Sequence, residues 1–209
     1  MEKKLPKVII FDLGGVLLNL DYILTTKAFI SLGMTDFENR YSQLQQTDLF
    51  DQFEIGKVSP FHFVNRLLDQ LPAGTTANQV VHAWNAMVLD FPKERLDWLL
   101  KLKDERRIFL LSNTNTLHID AVKRALKTAV GHDRLEDYFE KVFLSHEIGM
   151  RKPHVETFAW VADQIGVKPE DCLFIDDSPQ HVEGAKQAGL QAVHLSGDQR
   201  IEVLLQDWI

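Results

Sequence analysis

The chain has 209 residues and a formal net charge of −7, with 45% hydrophobic and 25% charged residues. That is the composition of an ordinary soluble globular protein, long enough for a full core plus a large insertion or a second small domain. The acidic balance and the lack of a basic stripe argue against a nucleic-acid partner, and no apolar run is long enough to span a membrane.

Met1-Glu2-Lys3-Lys4-Leu5-Pro6 is charged and leads into only a short apolar run, so it does not read as a secretory signal. That run, Val8-Ile9-Ile10-Phe11, predicts a strand buried on both faces, and it ends in Asp12-Leu13-Gly14-Gly15. A charge fits so apolar a strand only at its end, which puts Asp12 at the carboxyl edge of a sheet, where open α/β sheets bind ligands. Taken alone, the stretch reads equally well as a helix-cap or turn aspartate. From about Tyr22 to Asp90, Phe29-Ile30, Phe37, Leu44, Leu49-Phe50, Phe53, Phe61 to Phe63, Leu67-Leu68 and Val80 to Val88 recur at helical spacing. Gly33, Gly56, Pro60 and Pro72-Ala73-Gly74 divide this segment into about four helices, with no strand expected.

Beyond it, strands and helices alternate. Strands are predicted at Ile108–Leu111, Val142–Leu144, Cys172–Ile175 and Ala192–Leu195. The helices carry Leu96 to Leu102, opened by Pro92; Ile119 to Ala129; Phe158 to Ile165, closed by Gly166; and Val182 to Ala188, closed by Gly189. This rhythm predicts an α/β chain with a parallel sheet covered on both faces, a three-layer core whose strand carboxyl ends share one rim. The core is expected at 1–19 and 91–209, and the helical insertion at about 20–90, above the rim where Asp12 points. Cys172 is the sole cysteine and reads as a small buried hydrophobe in a reducing compartment, so a cytoplasmic location is expected.

Three further strand ends answer Asp12. The second strand runs into Ser112-Asn113-Thr114-Asn115, the third is followed by Gly149-Met150-Arg151-Lys152-Pro153, and the fourth runs into Asp176-Asp177-Ser178-Pro179 at a helix start. Singly these are a capping serine, a surface lysine and an ordinary helix N-terminus. Together, in this order, they point to one shared site. A carboxylate in such a site can act as a nucleophile, splitting one difficult displacement into two steps. Three crowded carboxylates suit a hard divalent cation held through oxygen, and a lysine with a hydroxyl neutralises the transferring group.

The whole chain resembles the haloacid dehalogenase superfamily, whose phosphatase-rich branch carries a helical cap after the first motif. FDLGGVLL, LLSNTNTLH, LSHEIGMRKP and FIDDSPQHVEGA are similar to its bacterial α-D-glucose-1-phosphate phosphatases. The resemblance implies a Rossmann-like core with an α-helical cap and Mg2+-dependent hydrolysis of a small phosphate ester, a sugar 1-phosphate first. It implies Asp12 as nucleophile and Ser112 and Lys152 as phosphate-binding groups, with Asn113 beside the substrate. The Mg2+ ligands would be Asp12, the Gly14 carbonyl and Asp177, with Asp176 a further ligand or the lysine's partner. The only partner expected is the small-molecule substrate, with the chain a monomer or homodimer.

The pattern also departs from that family. Most of its phosphatases carry a second aspartate two residues after the nucleophile, where this chain has Gly14. Such general acids contribute ~10²–10⁴-fold, although the sugar-phosphate group it resembles shares the glycine. An anomeric hydroxyl is a good leaving group, so loss of the acid favours activated esters such as sugar 1-phosphates. Two alternatives stand beside this reading: a metal-free 2-haloacid dehalogenase using the same nucleophile, and a degenerate member that binds a phosphometabolite without turnover. His181 reads as a polar helix side chain, the alternative being a partner of the Asp12 loop or the metal shell. His118 reads as a solvated histidine at a helix start, the alternative being a place near the substrate. Asn113 and Asn115 read as turn residues that can orient substrate oxygens. Trp84 reads as core of the insertion, and Gln52 and Glu54 as candidates to face the substrate.

Overall fold

The computed structural model describes residues 5–39, 41, 48–197 and 199–208; Leu44 and the charged start Met1–Lys4 lie outside the described residues. Strand β1 (Val8–Phe11) is followed by helices α1 (Tyr22–Ser31), α2 (Asp48–Glu54), α3 (Pro60–Leu68) and α4 (Ala77–Asn85). Then come α5 (Lys93–Glu105), β2 (Arg107–Ser112), α6 (Thr116–Val130), β3 (Lys141–Leu144), α7 (Ser145–Ile148) and α8 (Val155–Ile165). The chain ends with β4 (Cys172–Asp176), α9 (Pro179–Gln187), β5 (Gln191–His194) and α10 (Ile201–Leu204).

Among the described residues the strands form one parallel sheet in the order β3-β2-β1-β4-β5. The apolar β1 is central, with Phe11 level with Leu110 on one side and Ile175 on the other. Strand alternation splits the core into two layers. Ile9, Phe11, Ile108, Leu110, Leu173 and Ile175 pack with Leu96 and Leu99 of α5 and Val122 and Leu126 of α6. Val8, Ile10, Phe109, Leu111 and Phe174 pack with Phe158 and Val161 of α8 and Val182 and Ala185 of α9. The chain grows from β1 to β2 and β3 on one side, then returns to β4 on the other. The carboxyl ends of β1 and β4 therefore flank the switch point where such sheets bind ligands.

Helices α1 to α4 share a separate apolar cluster. Phe29 stacks on Phe37 at 4.3 Å and Phe53 on Phe63 at 4.1 Å, with Trp84 fully buried beside them. Ser59 caps α3 ahead of Pro60, and a Thr76–Gln79 capping box opens α4, so the punctuation of the segment is local chemistry. Its two connections to the sheet run side by side: Asn19 N–H donates to the Asp90 carbonyl at 3.0 Å, and Leu89 N–H to that of Asn19 at 3.1 Å. A second contact lies across the insertion at Gly56. Its backbone is left-handed, φ 73°, and a Cβ there would overlap the His146 carbonyl oxygen of α7. The short helices α7 and α10 were not expected, because four residues are too few to display a helical period.

Candidate active site

Each polar group at the rim is fixed by the end of a strand or the start of a helix. Asp12 follows β1 and its N–H donates to the Ile175 carbonyl at 2.9 Å, which extends the ladder by one residue. Ser112 ends β2 and Asp176 ends β4. Lys152 comes from the loop between α7 and α8. Asn113 grips that loop twice: its Nδ2 donates to the Lys152 carbonyl and its Oδ1 accepts from the Lys152 N–H, both at 2.9 Å. Gly184 lets α9 press against the Pro153 carbonyl, where a Cβ would overlap it.

These constraints send the Lys152 side chain, fully buried, between two carboxylates. Its Nζ lies 2.6 Å from Asp12 Oδ1 and 2.6 Å from Asp176 Oδ2. Asp176 is saturated, since its Oδ1 also accepts from Ser178 N–H at 2.8 Å and His181 Nδ1 stands 3.1 Å from both oxygens. Of the two roles open to Asp176, the geometry favours the lysine's partner. Asp177 packs against the Cα of Gly15, a contact that any Cβ at residue 15 would block. Carboxylate oxygens of Asp12, Asp176 and Asp177 lie within 4.8 Å of one another.

Burial pushes the Asp12 carboxyl up to about 8; the Lys152 ammonium restrains the shift, and Asp176 and Asp177 add to it. Burial opposes the charge on Asp176, yet Lys152 and the His181 hydrogen bond hold its carboxyl below the usual range. Burial likewise opposes the charge on Lys152, and Asp12 and Asp176 outweigh it, keeping the ammonium above its ordinary value. Burial first, and then Lys152, depress His181, so its ring is neutral. With Asp12 ionised, three carboxylates against one ammonium leave two negative charges in the site. A divalent cation balances that excess, and the all-oxygen donor set fits magnesium.

A cavity of about 70 Å³ lies over these groups, between the rim and the insertion. Asp12, Gly14, Ser112, Asn113, Lys152 and Asp177 line it from the rim. Tyr22, Tyr41, Glu54 and Met87 line it from the insertion. Burial raises both phenols, with neighbouring acidic groups adding to the effect, so they stay protonated. Arg151 ties the two walls together, with Nη1 2.7 Å from Asp51 and Nε 2.8 Å from Glu54. Arg151 stands inside a motif read for its lysine, and the pattern of α2 carries no sign of what its acids face.

Several expectations need correction. Asn113 lines the cavity and has both amide ends on the Lys152 main chain, so it positions the lysine in addition to any contact with the substrate. Asn115 is buried; its Oδ1 caps α6 at His118 N–H and accepts from Trp84 Nε1. His181 is no mere polar helix residue but a buried partner of Asp176, because α9 starts directly at the rim. His118 is not solvated: it is buried, stacked on Trp84 at 4.6 Å, and lines the cavity. Trp84 lies in the insertion core and Glu54 lines the cavity, whereas Gln52 borders a different groove. The space beside Gly14 is taken by Leu20, whose Cδ1 would overlap a Cβ built there.

The chain is similar to known proteins along almost its whole length. A family model described as haloacid dehalogenase-like hydrolase matches residues 6–189. D-ribitol-5-phosphate phosphatase of Bacteroides thetaiotaomicron is 31% identical over 88% of this chain and 89% of its own length. A HAD-family enzyme from the same organism, crystallised with magnesium and inorganic phosphate, is 33% identical with a TM-score of 0.85, covering 95% of this chain and 98% of that one. A predicted HAD-like hydrolase from Porphyromonas gingivalis gives 29% identity and a TM-score of 0.86, covering 97% and 98%. The chain belongs to the haloacid dehalogenase-like hydrolase family, and it is a phosphoric monoester hydrolase within it.

Proposed function

We propose that the chain is a magnesium-dependent phosphatase that hydrolyses a small sugar or polyol phosphate through an aspartyl-phosphate on Asp12. The observation that carries this reading is the buried Lys152 ammonium, 2.6 Å from Asp12, beside a trio of carboxylates under a cavity. The Asp12 oxygen not held by Lys152 attacks phosphorus, and the bond to the leaving oxygen breaks. With Gly14 in place of an acid, the leaving oxygen takes its proton from solvent. Water then attacks the phosphorus of the acyl phosphate, giving up a proton to solvent, releasing phosphate and restoring the Asp12 carboxylate. Lys152 and the Ser112 hydroxyl donate to phosphoryl oxygens throughout. Asp12, Asp177 and the Gly14 carbonyl would hold magnesium, which would supply neutralisation of the phosphoryl charge. Residues 20–90 act as a cap over the core of 1–19 and 91–209, excluding water and choosing the substrate. The buried thiol of Cys172, pushed up to about 12 by burial, suits the reducing cytoplasm.

Leu20 beside Gly14 supports a leaving group that departs without help, such as an anomeric hydroxyl, so a sugar 1-phosphate is the first substrate to test. A second reading, a pentitol 5-phosphate, is favoured by the named substrate of the relative from Bacteroides thetaiotaomicron. The crowded carboxylates stand against metal-free attack on a haloacid, and the intact Asp12–Lys152–Asp176 chain stands against a site that has lost turnover. Phosphate release from a panel of sugar 1-, 5- and 6-phosphates and polyol phosphates, with and without Mg2+, tests the reading. Expected is Mg2+-dependent release that chelator and Asp12→Asn both abolish. Release that survives either treatment, or none from any ester, refutes it.

A further inference from the structure

The cavity lining includes a histidine with an unused nitrogen. His118 is 8% exposed, lies in the first turn of α6, and lines the cavity together with Ser112. Its Nδ1 lies 3.0 Å from Asn85 Oδ1. An amide oxygen only accepts, so Nδ1 carries the hydrogen and Nε2 keeps a lone pair. Nε2 is buried and has no hydrogen-bond partner among the described residues. Leaving a buried acceptor unsatisfied costs stability, and ring nitrogens in a core are ordinarily both used.

The ring has no freedom to look elsewhere. It stacks on Trp84 with an interplanar angle of 15°, and the main-chain N–H beneath it is held by Asn115 Oδ1 at 3.0 Å. Burial pushes its pKa down to about 3, so Nε2 stays an acceptor at every working pH. The Glu54 carboxylate lines the same cavity, and Leu18, Leu20 and Val88 supply an apolar side. Arg151 also lines the cavity but is engaged by Asp51 and Glu54, so the acceptors that remain, His118 Nε2 among them, suit hydroxyl donors on a carbon chain.

We propose that His118 is a specificity-determining residue, its Nε2 accepting a hydrogen bond from a hydroxyl on the leaving group of a sugar or polyol phosphate. This rests on the phosphatase reading and adds the group that reads the leaving half. The probes are a pentitol 5-phosphate and pentyl phosphate, which differ only in hydroxyls. The quantity is the ratio of their kcat/KM values, in the parent and in His118→Phe, which keeps an aromatic ring against Trp84. The pentitol ester is expected to be preferred in the parent, and the ratio to fall about tenfold in the variant. A role in folding alone would lower both rates together and leave the ratio intact, which overturns the proposal, as does a parent with no preference. A second readout needs no change at residue 118: the 15N resonance of His118 Nε2 in Asp12→Asn protein with Mg2+, titrated with the pentitol ester. A shift toward the hydrogen-bonded position is expected, and an unmoved resonance at saturation overturns the assignment. Failure of the phosphatase reading looks different, because then neither probe nor p-nitrophenyl phosphate releases phosphate from the parent, and the proposal falls with it.

Discussion

Replacing Lys152 with methionine, a side chain of similar length without charge, tests the electrostatic account most directly. In the parent, Nζ sits 2.6 Å from each of two carboxylates, and Lys152 and Asp176 are fully buried. The variant leaves three clustered carboxylates with no cation in contact. Removing one partner of a buried pair costs ~3–5 kcal/mol. In a chain of this size each kcal/mol moves Tm by ~2–4 °C, so metal-free Lys152→Met should melt roughly 6–20 °C lower near pH 7.5. The pH dependence has a definite sign. In the parent, Asp176 is held below its usual range, so its stabilisation is present above the unfolded value and fades as acid protonates it. Without Lys152, burial raises that carboxyl above its unfolded value, and the contribution becomes a penalty that grows as pH rises through the window between the two. The difference in Tm between parent and variant should therefore be smallest near pH 4 and widen toward pH 7.5. Added Mg2+ should recover part of it. Thermal unfolding followed by circular dichroism, on both proteins with and without Mg2+, measures all three. A drop under about 3 °C, or one independent of pH, would refute the claim that this lysine offsets the acidic cluster.

Two other substitutions probe the cavity walls. Gly14→Asp alone should not improve turnover of a sugar 6-phosphate, because Leu20 fills the space; with Leu20→Ala added, a gain approaching ~10² is expected in the chemical step. Equal single-turnover rates for the two variants would show that Leu20 is not the obstacle. Arg151→Ala strips the cation from Asp51 and from the buried Glu54, loosening the insertion by ~1–3 kcal/mol. Hydrogen exchange should accelerate in Asp48–Glu54 while protection of β1 and β4 holds, and unchanged exchange in α2 would count against the clamp.

What local pattern decides was legible in the chain itself. Val8–Phe11 and Cys172–Ile175 are apolar throughout and alternate with helical patterns, which favoured strands covered on both faces with the polar residues after them at one rim. The helix ends were equally readable, since Gly166 closes α8 in the left-handed region and Gly189, also left-handed, follows the end of α9. Direction and company were not. Lys152 and Asp12 stand 140 positions apart, and nothing local says that the ammonium is shared with Asp176 or that Asn113 spends both amide ends on the lysine's backbone. His118 and His181 looked like polar residues at helix starts, because a single periodicity cannot distinguish a first turn facing water from one facing the site. Leu20 beside Gly14 and Arg151 between Asp51 and Glu54 likewise depend on how the helical insertion settles on the sheet, a matter of packing between distant segments. Composition, periodicity and turn chemistry act over a few residues and determined the elements; burial, charge pairing and unsatisfied polar atoms arise only when those elements meet, so the tertiary structure decided which groups share the site.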